Sequence, residues 1–209
     1  MNPPLPAIFV AGFGGTGKHQ VIEALLAQRP AAEQWALIAP AGLLGAARFS
    51  GAPADGVKME TVAPGCPCCT GLTPFSAGLV TLLRKLRDKP VTRLLIEGGS
   101  EGHIESVARL LQQPQFSPHV FLAHALAVID PAWLANPSAA AQEALAGLAG
   151  AADSLVAAPW NENAPARSEF RDFAGRFAPS RPWTALEGVR LEADFVQAVL
   201  STQTFQGTR

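Results

Sequence analysis

Eight residues constrain this chain more than any others: Gly12-Phe13-Gly14-Gly15-Thr16-Gly17-Lys18-His19. An apolar run, Ala7-Ile8-Phe9-Val10-Ala11, leads into them. Val21, Ile22, Leu25 and Leu26 follow at helical spacing. A buried strand that turns through glycines into a helix is the setting a phosphate-binding loop needs. The glycines let successive N–H groups point inward, the helix adds its positive end, and a lysine reaches the outer phosphates. The spacing fits G-x-x-x-x-G-K-[ST] except at its last position, where His19 stands in place of a hydroxyl residue. A glycine-rich turn that binds nothing is the plain alternative. The phosphate loop is preferred because spacing and context agree.

The rest of the chain alternates in the same way. Trp35–Ala39 and Val57–Val62 read as strands, separated by a Gly/Ala/Pro-rich loop from Pro40 to Asp55. Phe75, Leu79, Leu82, Leu83 and Leu86 form one helical face. Leu94-Leu95-Ile96 is a buried strand that ends on Glu97, and Ile104, Val107, Ala108 and Leu111 form the next helix face. Val120–Ile129 is a long strand ending at Asp130, Ser138–Gly150 is an alanine-rich helix, and Leu155–Ala158 is a short strand. Residues 159–183 are polar and proline-rich with a short helix near Ser168–Phe177, and Phe195, Val196, Val199 and Leu200 mark a last helix. Alternating strands and helices predict an α/β fold with three layers, a doubly wound and mostly parallel sheet. Ligands of such sheets sit beyond the carboxyl ends of the strands. The glycine loop, the turn at residues 65–69, the turn from Glu97 to His103 and the loop after Ala158 all follow strands, so they should share one rim.

With 209 residues, the chain suits one domain over residues 1–209. Charged residues are 16% and hydrophobic residues 48%, which favours a well-buried core over a disordered tail. A formal charge of −1 gives no reason to expect nucleic acid or an anionic membrane surface as partner. No apolar run reaches the roughly 18 residues of a membrane span. Met1–Pro6 has no positively charged lead, so no signal peptide is expected and the chain is read as cytoplasmic.

All three cysteines fall in Gly65-Cys66-Pro67-Cys68-Cys69, after a strand and before a helix. This is no disulfide framework. Thiolates bind zinc or another thiophilic divalent metal, and C-x-C lets Cys66 and Cys68 reach one ion from a turn. Adjacent Cys68 and Cys69 share an ion less readily. A further ligand is needed, and His103, Glu97, Glu101 and His19 are the candidates. Cys66 and Cys69 also fit the C-x-x-C of a redox site, though a glycine loop on the first strand has no place in a thioredoxin fold. Three small buried residues without chemistry are the remaining reading.

Gly-Phe-x-Gly-x-Gly-Lys on the first strand–helix turn, followed by Gly-Cys-x-Cys-Cys after the third strand, resembles the CobW-type branch of the CobW/HypB/UreG family of P-loop GTPases. Those proteins handle zinc, cobalt and related metals. The resemblance runs from about Ile8 to at least Asn163. Leu95-Ile96-Glu97 looks like the family's Ile-Glu-x-Ser-Gly strand end, Val128-Ile129-Asp130 like its Val-Val-Asp, and Ala152–Val156 like the segment leading to the guanine-reading Asn-Lys-x-Asp. By resemblance, Gly12, Gly14, Gly15, Thr16, Gly17, Lys18 and His19 would hold a nucleotide such as GTP. Glu97 would sit near magnesium or the attacking water, and with Lys18 would serve catalysis. Cys66, Cys68 and Cys69 would bind metal for delivery to a client metalloprotein.

The chain departs from the family at several of these points. His19 replaces the threonine that holds magnesium, and an imidazole is a poor ligand for that hard ion. Asn-Lys-x-Asp becomes Ala158-Pro159-Trp160-Asn161. Asn161 offers one acceptor where the aspartate offers two, which erodes base selectivity. Trp160 suits either stacking on a base or packing in the core. The family's Asn-Glu-x-x-Gly reads Ala39-Pro40-Ala41-Gly42, Ile-Glu-x-Ser-Gly reads Ile96-Glu97-Gly98-Gly99-Ser100, and the family's C-terminal domain is expected to be lacking. The expectation is a metal-binding P-loop protein with a degenerate nucleotide site and weak or absent GTP hydrolysis, acting in the handling of zinc or a similar metal or as a metal- or partner-binding subunit. An active GTP-dependent metallochaperone and a thiol redox protein are the alternatives.

Overall fold

The computed structural model describes residues 3–40, 57–62, 72–99, 103–135, 137–160 and 164–201. Among these residues, seven parallel strands form one sheet: β1 (Leu5–Ala11), β2 (Gln34–Pro40), β3 (Val57–Val62), β4 (Val91–Glu97), β5 (Val120–Ile129), β6 (Ser154–Ala157) and β7 (Trp183–Ala185). Their order is β3-β2-β4-β1-β5-β6-β7, so β1 is the central strand. Ala7 to Ala11 are fully buried, as a parallel strand covered on both faces must be, and this is why they read as one unbroken apolar run.

The covering helices split into two layers. On one face, α1 (Lys18–Ala27) and α6 (Ala193–Ser201) pack Val21, Ile22, Leu25, Phe195, Val196 and Val199 against Ile8, Val10, Leu37 and Leu95. On the other lie α2 (Leu72–Leu86), α3 (Ile104–Leu111), α4 (Ala139–Ala151) and α5 (Ala164–Phe177), packed on Phe9, Ile38, Ile96 and Ile129. The three-layer, doubly wound sheet of the P-loop NTPase type is therefore present, and every strand pair in it is parallel. Among the described residues no helix is long and apolar enough to cross a membrane.

Two local expectations change, and one short element is added. Helix α5 starts at Ala164, ahead of the expected Ser168. Trp183–Ala185 adds a seventh strand inside or beside the stretch read as irregular, too short to show a period. Pro131–Leu134 forms a 3₁₀ turn capped by Asp130, whose Oδ1 accepts from the Ala132 N–H at 2.9 Å. The loop expected between Pro40 and Asp55 lies, after Pro40, outside the described residues.

The amino-terminal end of the sheet is closed by buried polar groups. Asp153, just before β6, accepts from the Ala125 N–H through Oδ2 and donates its own N–H to the Ala125 carbonyl, both at 2.9 Å. Arg181 Nη1 stands 3.8 Å from Asp153 Oδ1. His124 Nε2 lies 2.9 Å from Ser154 Oγ. Arg93 lies over the Trp35 ring, 5.7 Å from its centroid, and donates to the Leu200 carbonyl at 3.0 Å. Burial lowers its pKa, and Glu33, 4.0 Å away, opposes that.

His124 is 4% exposed, and burial, with Arg181 and Arg93 adding to it, pushes its pKa down to about 4. Its folded pKa lies below the unfolded value of 6.5. Between those values the unfolded chain takes up the proton and the folded chain does not. Stability should therefore fall as pH drops from 6.5 towards 4, by on the order of 3 kcal/mol, and this contribution should level off below. Urea unfolding at pH 7.5 and 4.5 checks this: His124→Gln should narrow the difference between the two midpoints, whatever its own cost at pH 7.5.

Candidate nucleotide and metal site

Gly12 follows the last residue of β1, and the chain turns at once. A Cβ on Gly12 would stand 2.6 Å from the Val128 carbonyl oxygen and 2.7 Å from Thr16 Oγ1, so no side chain fits there. The loop closes on itself: Thr16 is 1% exposed and donates both its N–H and its hydroxyl to the Phe13 carbonyl, the latter at 2.9 Å. Gly17 has φ 68°, a left-handed conformation that favours glycine, and it starts α1. Gln20 and Val21 donate their N–H groups to its carbonyl.

Lys18 is drawn back over this loop. Its Nζ donates to the Gly12 carbonyl at 2.7 Å and to the Phe13 carbonyl at 2.8 Å. The ammonium is thus held where the loop folds around it, with 8% of the residue exposed. A positive charge above a tight glycine turn at a helix start is suited to a phosphate. Helix α1 has no acidic residue in its first turn to repel an anion. His19 lies half-buried in that first turn.

The sheet brings other predicted residues to this rim. Glu97 ends β4 opposite Val10 of β1, and the Gly98 N–H donates to the Val10 carbonyl at 2.8 Å. Glu97 is 5% exposed. Asp130 follows β5 on the other side of β1. Beyond β6, Ala158 donates to the Ile129 carbonyl at 3.0 Å, and the Ala158–Pro159 peptide bond is cis. A Cβ on Gly17 would meet Pro159 N at 3.4 Å and Ala158 C at 3.5 Å, so this segment packs directly on the glycine loop.

Trp160 is half-buried and packs on the core, while Arg167 covers its ring with the guanidinium carbon 5.3 Å from the centroid. Arg167 in turn pairs with Glu187 at 3.0 Å. His103 sits exposed at the start of α3. The described residues hold no group of three His, Cys, Asp or Glu side chains that could bind a metal ion. Cys66, Cys68, Cys69, Glu101 and Asn161 lie outside the described residues.

Two contacts escaped the sequence. Phe13 stacks on Trp133 of the 3₁₀ turn, with ring centroids 5.7 Å apart and planes 18° apart. The pair ties the glycine loop to the end of β5. Trp133 lies three residues after Asp130, and neither ring announces its partner in the local sequence. Arg167 fell just ahead of the stretch read as helix.

The sequence profile of the CobW/HypB/UreG nucleotide-binding domain matches residues 6–159. The chain is 35% identical, over 150 residues, to the zinc chaperone YeiR of Escherichia coli (strain K12), an alignment covering 71% of this chain and 44% of that protein. The chain thus spans less than half the length of that curated relative. Among solved structures it superposes on Zn(II)-bound YjiA GTPase from E. coli with a TM-score of 0.66 and 15% identity, covering 99% of this chain and 63% of that one. HypB from Helicobacter pylori in complex with nickel gives a TM-score of 0.65 and 14% identity, covering 98% and 91%. At such identities the structures speak for the fold.

The crowding at Gly12 predicts that Gly12→Ala destabilises the protein by about 1–3 kcal/mol, because the carbonyl it meets belongs to the β5 backbone and cannot swing away. Gly147→Ala, where an added Cβ meets nothing within 4 Å, should be neutral or stabilise α4 by up to about 1 kcal/mol. Urea denaturation of the two variants checks the contrast.

Proposed function

The chain belongs to the CobW/HypB/UreG family, and on that premise we propose that it is a zinc-handling protein whose glycine loop binds a nucleotide and hydrolyses it slowly or not at all. The observation that carries the nucleotide half is Lys18 Nζ, held by two loop carbonyls over a turn that admits no side chain at Gly12. GTP is the nucleotide the family suggests. The phosphates would be received by the N–H groups of Gly14, Gly15, Gly17 and Lys18 and by the Lys18 ammonium, with Glu97 at the edge of the same rim.

The metal half rests on Gly65-Cys66-Pro67-Cys68-Cys69 and on the likeness to a zinc chaperone. Cys66, Cys68 and Cys69 would hold zinc, or another thiophilic divalent ion, as cargo rather than as a catalytic group. Three thiolates leave one position of a tetrahedral ion open, which suits hand-over to a client metalloprotein. Residues 1–209 would act as a single P-loop domain in the cytoplasm.

Weak hydrolysis follows from what the site residues are. Phosphoryl transfer depends on positioning and on a correctly held cation. His19 stands at the cation-holding position and Pro159-Trp160-Asn161 at the base-reading one. Trp160 is engaged by Arg167 and the core, so a base would have to compete for its face. An active GTP-dependent metallochaperone is the second reading, favoured by the intact loop and Lys18.

Zinc titration of the fully reduced protein tests the cargo claim. One equivalent should bind tightly, and Cys66→Ala or Cys68→Ala should weaken it by about two orders of magnitude. Binding that ignores both substitutions would sink the thiol site, and a ready Cys66–Cys69 disulfide in its place would point to redox chemistry. Robust GTP turnover with magnesium would decide for the active chaperone.

A further inference from the structure

The carboxyl ends of β6 and β7 lie side by side. Leu155, Val156 and Ala157 pair with Trp183, Thr184 and Ala185, and the Leu186 N–H extends the ladder to the Ala157 carbonyl at 2.9 Å. Trp160 follows the first of these ends and Glu187 the second. Arg167, near the start of α5, joins the two. Its guanidinium carbon lies 5.3 Å from the centroid of the Trp160 ring, and its Nη2 donates to Glu187 Oε1 at 3.0 Å. The Ala158–Pro159 segment just before Trp160 packs on Gly17 of the phosphate loop. The three side chains therefore stand beside the loop, beyond the strand ends where ligands of such sheets lie. The other carboxylate of the rim, Glu97, is 5% exposed and ends β4, on the opposite side of β1 from β6. The other exposed ring, Trp133, stacks on Phe13, an apolar partner.

Arg167 and Glu187 are exposed, so their pair is worth under about 1 kcal/mol and a ligand can break it at little cost. What the pair binds together has a chemical likeness. A guanidinium is a flat group that stacks on an aromatic face and presents parallel N–H donors to a carboxylate. Guanine does the same: its plane stacks, and N1–H with the N2 amino group forms a pair of parallel donors on one edge. We infer that Trp160 and Glu187 form the base site of a guanine nucleotide, with Arg167 as the place-holder that the base displaces. The inference rests on the nucleotide-binding reading of the loop and names the base of that nucleotide. Adenine has an acceptor at N1 and would leave the Glu187 carboxylate facing a lone pair, so Glu187 discriminates against it. The carboxylate that position 161 lacks is then supplied from the end of the neighbouring strand. Because Arg167 competes for the same ring and carboxylate, the apparent affinity falls by the fraction of chains in which the site is open.

The test measures binding of GDP, inosine diphosphate, ADP and inorganic pyrophosphate to the full, reduced chain by calorimetry, with a chelator present so that no cation enters the comparison. Pyrophosphate reports the phosphate loop alone. GDP should bind about tenfold or more tighter than ADP, with inosine diphosphate, which lacks the N2 amino group, between them. Glu187→Gln should reduce the preference for GDP over ADP to about threefold or less. Arg167→Ala should tighten GDP by about threefold or more relative to pyrophosphate, because the competitor is gone. An ion pair with a merely structural role would move neither ratio. Equal affinity for GDP and ADP, a GDP preference that survives Glu187→Gln, or GDP binding that Arg167→Ala weakens or leaves unchanged against pyrophosphate overturns the inference, and pyrophosphate binding then leaves the phosphate loop standing. If neither the nucleotides nor pyrophosphate bind to protein that unfolds cooperatively in urea, the nucleotide reading falls and this inference with it.

Discussion

The meeting of Gly12 with the Val128 carbonyl is the constraint on which the site depends. Because no Cβ fits at 2.6 Å from that oxygen, β1 can end hard against β5 and the chain can reverse within the loop. The reversal puts the α1 N-terminus over the end of the central strand. It also brings the Gly12 and Phe13 carbonyls together, and these two oxygens hold Lys18 Nζ. A chain that left β1 more gradually would spread those carbonyls and lose the fixed ammonium. The Phe13–Trp133 stack secures the same junction from the side of β5.

A second set of contacts, at the far end of the sheet, fixes what stands above the loop. β6 has only four residues, so its ladder alone pins its register weakly. Asp153 supplies the pin, using its carboxylate and its own N–H on the two backbone groups of Ala125. That register carries Ala158 to the Ile129 carbonyl and lays the Ala158–Pro159 segment on Gly17. Buried Asp153, paired with half-buried Arg181, and neutral His124 thus act on the site through strand placement, at the cost of acid sensitivity. Polar groups at one end of the sheet set the geometry at the other.

What the sequence made legible follows from the range of each interaction. The loop, Glu97 and Asp130 were readable because each is written into a strand end, where apolar runs stop on a glycine or a carboxylate. The parallel sheet followed from alternation of periods. The Phe13–Trp133 contact joins residues 120 positions apart, and nothing local in either neighbourhood announces it. Trp183–Ala185 is three residues long and has no period of its own; it is a strand because Val156 and its neighbours offer it a ladder. The start of α5 was misjudged because Ala164-Pro165-Ala166 looks like a continuation of the proline-rich loop, whereas proline suits the first turn of a helix. The cysteine stretch at 65–69 leaves metal, redox and inert readings open by spacing, and it lies outside the described residues.

The two halves of a phosphate site answer to different constraints, and this chain separates them. Holding a phosphate is mainly backbone work: N–H groups, a left-handed Gly17, a cramped Gly12 and one lysine whose head is tied to the loop itself. Gly12 is cramped by the β5 backbone and Gly17 by the Ala158–Pro159 segment, so neither can take a side chain without moving backbone. Under the proposed function the cation would answer to side chains instead, and the residue after the loop lysine is His19, half-buried in the first turn of α1. A backbone cradle of this kind can keep its shape while the donor atoms beside it differ, and the chemistry of those donors decides which ions are admitted.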